Sequence, residues 1–167
     1  MSDKFEDLIN SSVGKKLMGA LGVTVPTELL RYDSEQNNFF SGALLFGAGN
    51  NAKLVDVTLS NLADSDARLA LTTECAAQAS STVETVVADS YQALVFDGSG
   101  FTDGLQLIQA YRFFNANIRK LRPSGRIVIL GRPHMACATP EAAAAQRALE
   151  GLSRSLAKEV GSKGATA

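Results

Sequence analysis

The chain has no tryptophan, a single histidine (His134) and two cysteines (Cys75 and Cys137) in 167 residues. These form no spaced ligand set, so no metal centre is expected. The first ten residues, MSDKFEDLIN, are acidic and mixed rather than a secretory leader. Two free thiols behind such a start predict a reducing compartment, most simply the cytoplasm. No apolar run approaches the roughly 20 residues of a membrane span. An excess of charge of one sign is also missing. Sixteen Lys and Arg against 17 Asp and Glu leave a net charge of -1. The basic residues are scattered, which argues against a nucleic-acid surface or a polybasic membrane anchor. There is no internal repeat and no low-complexity linker.

What is present is ordinary globular material, 46% hydrophobic and 20% charged. At this length one domain is expected, burying roughly 70% of the unfolded chain's surface. Residues 1–38 read as a helical extension covering a sheet edge or face. Phe5, Leu8, Ile9, Val13, Leu17 and Leu21 sit at helical spacings, a serine near 10–12 can cap a second helix, and Gly22 ends it. Residues 39–167 then alternate between short apolar runs and amphipathic stretches. Strands are expected at 42–46, 68–72, 91–96 and 126–130. Helices are expected at 51–62, 102–121 and from the Thr139-Pro140-Glu141 cap to about Val160. Leu54, Val55, Val57, Thr58 and Leu62 are assigned inward on the first helix, and Leu105, Ile108, Phe113 and Ile118 on the second. Residues 64–66 and Pro123-Ser124-Gly125 read as turns. Residues 74–90 stay ambiguous, helical at first and β-branched from 82 to 88. Residues 165–167 look like the start of a further strand, as in a chain that continues beyond this point. The alternation is the signature of an open, mostly parallel, doubly wound α/β sheet with helices on both faces.

The stretch FFSGALLFGAGNNAK, residues 39–53, organises this reading. A buried strand breaks at Gly47-Ala48-Gly49 and enters a helix, the place where Rossmann-type folds seat a dinucleotide pyrophosphate. Two readings stand. The turn holds an anion on backbone amides, or it is a tight turn that needs glycine for its dihedrals. The glycine motif is shortened, which favours the second. Asp97-Gly98-Ser99-Gly100 ends a central strand, as a catalytic pair or as a satisfied turn. His134 is a lone candidate base in a loop after the next strand, or simply a surface residue. Arg132 is a candidate anion ligand, or a partner for Asp97 in a structural plug.

The run GRIVIL at residues 125–130, followed by RALEGLSRSLAKE at 147–159, resembles the short-chain dehydrogenases/reductases. The N-terminal portion, including residues 8–11, 21–23 and 29–32, resembles the extra N-terminal domain of high-molecular-weight 3-oxoacyl-(acyl carrier protein) reductases. That resemblance implies a degenerate Rossmann or flavodoxin-like domain beside a complete C-terminal reductase domain. It implies NADH or NADPH as cofactor and 3-oxoacyl thioesters, on acyl carrier protein or coenzyme A, as substrates of the parent enzyme. It also implies homodimers or higher oligomers through the helices at 102–121 and 139–160, where one of Tyr111, Phe113 and Phe114 is expected to face outward.

The departures from the family pattern decide what this chain itself does. The family shows Thr-Gly-x-x-x-Gly-x-Gly at the first turn. Gly47 matches the first glycine, but Asn51 and Lys53 stand where the others belong, adding side chains in the cofactor's space. The family's Asn-Asn-Ala-Gly is replaced by Asp97-Gly98-Ser99-Gly100. Gly47, Gly49, Asn50, Asn51, Asp97 and Gly98 are what remains to line a cofactor. The catalytic serine position falls on Arg132, the tyrosine position on Ala142 and the lysine position on Gln146. Proton donation to a carbonyl needs an acid and a cation to lower its pKa, and these residues supply neither. Three functions are consistent with the sequence: a non-catalytic structural or regulatory domain with no cofactor of its own, a binding module with a weak nucleotide or anion site, and an oxidoreductase using non-standard residues.

Overall fold

The computed structural model describes residues 11–22, 27, 29, 42–63 and 67–167. Its first described helix, α1 (Ser12–Ala20), is capped by the Ser11 hydroxyl, which accepts from the Gly14 amide at 3.0 Å. Gly22, at a φ of 67°, ends it. The helix buries none of its side chains, and Val13 and Leu17 are exposed. The expected covering of the sheet is therefore not made by this helix. The helix proposed before it, the turn at 64–66 and most of an irregular lead-in expected at 26–38 lie outside the described residues. Within that lead-in, Thr27 donates its hydroxyl to the Ser162 carbonyl at 2.9 Å.

The sheet follows the apolar runs. Strand β1 (Ala43–Ala48) is buried at all six residues. Helix α2 (Val55–Ala63), strand β2 (Arg68–Leu71), the single turn α3 (Thr73–Ala76) and strand β3 (Tyr91–Asp97) come next. Helix α4 (Leu107–Asn117), strand β4 (Leu121–Leu130) and helix α5 (Pro140–Val160) complete the order. The strands form one parallel sheet in the order β2-β1-β3-β4. Leu45 of β1 lies between Ala70 of β2 and Leu94 of β3. Alternate side chains enter opposite cores, because successive residues of a strand point to opposite faces. Leu44, Phe46 and Ala48 join Val55, Leu59 and Cys75 under α2 and α3. Ala43 and Leu45 join Phe96, Phe113, Leu149 and Val160 under α4 and α5. Phe96 centres the second core, with ring centroids 5.1 Å from Phe113, 6.0 Å from Phe114 and 6.1 Å from Phe101.

Several local expectations change. Helix α2 starts at Val55, because residues 50–54 are held in a turn with Asn51 at a φ of 55°. Leu59 is buried there and Val57 is exposed. The helix expected over 102–121 is three pieces: a 3-10 turn at Gly104–Gln106 capped by Asp103, then α4, then a 3-10 turn at Ile118–Lys120. That shift of phase exposes Leu105 and Ile108, while Phe113 and Ile118 stay inside. The Pro123-Ser124-Gly125 turn lies within β4 as an irregularity. Tyr91 pairs with Leu121 and Ala93 with Arg126, and Ser124 has a φ of 55°. Residues 82–88 form no strand, and only the Val86 amide reaches β2, at the Leu69 carbonyl (2.7 Å). Thr166 does pair in parallel beside β4, its carbonyl accepting from the Ile127 amide at 2.7 Å. The last helix matches its cap. Thr139 accepts from the Ala142 amide with Pro140 in the first turn.

Replacing Phe96 by alanine removes the ring on which three others pack. The expected loss is about 4 kcal/mol of unfolding free energy, read as a lower urea midpoint with an unchanged m-value.

Candidate functional site

Strand β1 leads to β2 on one side, and β3 starts on its other side. The carboxyl ends of β1 and β3 therefore flank the topological switch point, where open α/β sheets place ligands. The backbone of residues 49–54 turns there into the head of α2. Its amides precede the first helical turn and have no partners within the helix, so they need acceptors.

The chain supplies those acceptors itself. Gly49 donates to the Asp97 carbonyl at 2.8 Å and Asn50 to Gln109 Oε1 at 2.8 Å. Ala52 donates to Gln78 Oε1 at 2.9 Å, and Lys53 to the Ser99 hydroxyl at 2.8 Å. Leu54 donates to Asp97 Oδ2 at 2.8 Å, while the carboxylate's other oxygen accepts from the Ser99 amide at 2.9 Å. Gln78 closes the loop by donating to the Gly49 carbonyl at 3.0 Å. Asp97 and Ser99 are wholly buried. A buried carboxylate at the positive end of a helix is stabilised by the helix dipole and by charge-assisted hydrogen bonds. Asp97 is thus the anion that this helix end holds.

The two loops are also in backbone contact. A Cβ on Gly100 would lie 2.2 Å from the Asn51 carbonyl oxygen and 2.4 Å from that of Asn50. A Cβ on Gly49 would lie 2.2 Å from the Phe101 ring. These glycines serve a close approach, without which the side chains of Asp97 and Ser99 would not reach α2.

A second set of bonds closes the space between β3 and β4. Gln146 of α5 is buried. Its Oε1 accepts from the Arg132 amide at 2.7 Å. Its Nε2 donates to the carbonyls of Gly98 (3.0 Å) and Phe101 (3.0 Å), with Ser99 at 3.4 Å. Arg132 donates its guanidinium to the Phe101 carbonyl at 3.3 Å. The expected Arg132–Asp97 ion pair is not formed, because the carboxylate is already spent on two backbone amides. Ala142 is buried on α5 beside its cap.

No protein-family model matches the chain, and no curated protein matches it. Among solved structures, a variant short-chain dehydrogenase/reductase from Serratia marcescens superposes with a TM-score of 0.51. Identity is 17%, over 74% of this chain and 71% of that one. The likeness is one of fold, and the fold is Rossmann-like.

In this Rossmann-like frame, Gly47, Gly49, Asn50, Asn51, Asp97 and Gly98 lie at the carboxyl ends of β1 and β3 and in the loops that follow them. Asn51 and Lys53 do not fill the crevice with their side chains, both of which are exposed. Asp97, Ser99 and Gln78 fill it instead. Gln78 and Gln109 were missed, because a glutamine in a loop or on a helix carries no local signal of what it bonds across the sheet. His134 sits away from these groups, its Nδ1 3.8 Å from Glu150 Oε1. Glu150 also accepts from Arg147, which holds its carboxyl below the ordinary value. Among the described residues, no cluster of three His, Cys, Asp or Glu side chains could hold a metal ion. No described helix is long and apolar enough to cross a membrane. Burial, with the nearby Asp97 charge, pushes the Cys75 thiol up to about 12.

Asp97→Ala removes the acceptor of the buried Ser99 amide and the half-buried Leu54 amide, with an expected loss of about 3 kcal/mol in chemical denaturation. Asp97→Asn keeps one acceptor oxygen and is expected to lose less. For Cys75 the folded pKa lies above the unfolded one. The stability that its neutral burial contributes is therefore full below about pH 9 and falls as pH rises toward 12. Iodoacetamide labelling of the native chain at pH 8 is expected to modify Cys137 and to spare Cys75, as read by mass spectrometry of peptides.

Proposed function

We propose that this chain is a non-catalytic Rossmann-like domain of a 3-oxoacyl-(acyl carrier protein) reductase, with a structural or interface role. In this reading a separate reductase domain of the same protein reduces 3-oxoacyl thioesters with NADH or NADPH. The present domain packs on that partner or on a second copy of itself. The observation that carries the reading is the internal occupation of the α2 head. The amides that would receive a pyrophosphate already donate to Asp97, Ser99, Gln78 and Gln109. A dinucleotide would have to displace a buried carboxylate of its own charge sign. Gln146 supports the reading from the other side. It stands where the resemblance places the catalytic lysine, and its amide group is spent on four backbone partners. Ala142, where the tyrosine would stand, has no proton to give.

An interface role draws on α4. Tyr111 is exposed while its neighbours Phe113 and Phe114 are buried, and Leu105 and Ile108 are exposed on the same helix and its lead-in. Such apolar side chains are the material of protein contacts.

Calorimetric titration of the chain with NADH and with NADPH is expected to give no saturable heat up to roughly millimolar cofactor, a range in which working sites saturate. An acetoacetyl thioester with either cofactor is expected to show no loss of absorbance at the nicotinamide band. Micromolar binding would overturn the reading, and so would turnover.

A further inference from the structure

Beside the closed switch point lies an open groove of about 520 Å³, within the roughly 300–1,000 Å³ usual for small-molecule sites. It crosses the carboxyl edge of the sheet between α3 and α4, which pack on opposite faces. Phe96 and Phe113 give it an aromatic floor. Two opposite charges stand in its wall, Glu74 from α3 and Arg112 from α4. Both are exposed, and neither forms an ion pair among the described residues. Two amides add direction. Gln109 spends its oxygen on the Asn50 amide, so only its NH2 donors remain to be used. Asn117 spends its NH2 on the Phe113 carbonyl at 2.8 Å, so its oxygen remains to accept. Gln109 lies one helical turn before Arg112 on α4, so donors for an anion are grouped. Glu74 and Asn117 are acceptors for a cation or N–H group.

We propose that this groove binds a small zwitterion with an apolar body, of the chemical class of an aromatic or large aliphatic amino acid. The carboxylate is received by Arg112 and Gln109, the ammonium by Glu74, and the apolar body covers Phe113 towards Asn117. Arg112 is suited to the carboxylate because its planar guanidinium offers paired donors. The site adjoins the pyrophosphate turn, sharing Asn50 and Gln109 with it. It stands whether or not the chain is a reductase domain.

The test uses the full chain labelled with 15N and four probes: L-phenylalanine, 3-phenylpropionate, phenethylamine and inorganic phosphate. Phenylalanine is expected to shift the amides of residues 74, 109, 112 and 117 saturably. Phenylpropionate lacks the ammonium and phenethylamine the carboxylate, so each is expected to bind about tenfold more weakly. Arg112→Gln should reduce phenylalanine to the level of phenethylamine, and Glu74→Gln to that of phenylpropionate. Both side chains are exposed, and unchanged resonances elsewhere verify the fold of the variants. The proposal is overturned by any of three results: no saturation below roughly 20 mM, affinities unchanged in both variants, or phosphate alone binding as tightly as phenylalanine. A failure here leaves the cofactor reading intact, since NADH binding would instead move the amides of residues 52–54, which do not line the groove.

Discussion

Backbone amides at the head of a helix must find acceptors, and this constraint governs the carboxyl edge of the sheet. In a dinucleotide-binding fold, phosphate oxygens satisfy part of that need. Here Asp97, Ser99, Gln78 and Gln109 do so from within the chain. The consequences reach outward. Asp97 must end β3 in register with Ala48, so the β1–β3 pairing is fixed at its last residue. Gly100 must lack a Cβ so that the two loops can meet. Gln146 then ties the far side of the same loop to β4 and α5.

The same closure sets the chemistry. Catalysis of hydride transfer requires a proton donor, a cation and an open place for cofactor and carbonyl. The positions that the resemblance assigns to those roles carry an arginine on a carbonyl, a buried alanine and a fully engaged glutamine. What stays open lies to the side, over Phe96 and Phe113, where charges of both signs stand without partners among the described residues. The molecule sets an internally bonded strand-to-helix turn beside an open groove.

Much of the fold was legible because it rests on short-range pattern. The continuous apolar runs 42–46 and 91–96 can be buried only between two helical layers, and the Thr139-Pro140-Glu141 cap marks α5 to the residue. The N-terminal phase of α4 was not legible, because the Asp103–Gln106 capping box starts the turn in 3-10 form and rotates Leu105 outward. The site was legible in half. The sequence placed Asp97 at the carboxyl end of a central strand, where the structure has it. The identity of its contacts was not readable. Arginine seemed the natural partner for a buried carboxylate, yet peptide amides, which no side-chain inventory counts, took that place.

The engagement of Gln146 bears on how this sequence can change over generations. Its one side-chain amide answers the Arg132 N–H and the carbonyls of Gly98 and Phe101, with Ser99 further off. A single step to lysine would bring one cation into a cage built of three carbonyls and an N–H. It would leave that N–H without an acceptor, so a change at this one position runs downhill in stability.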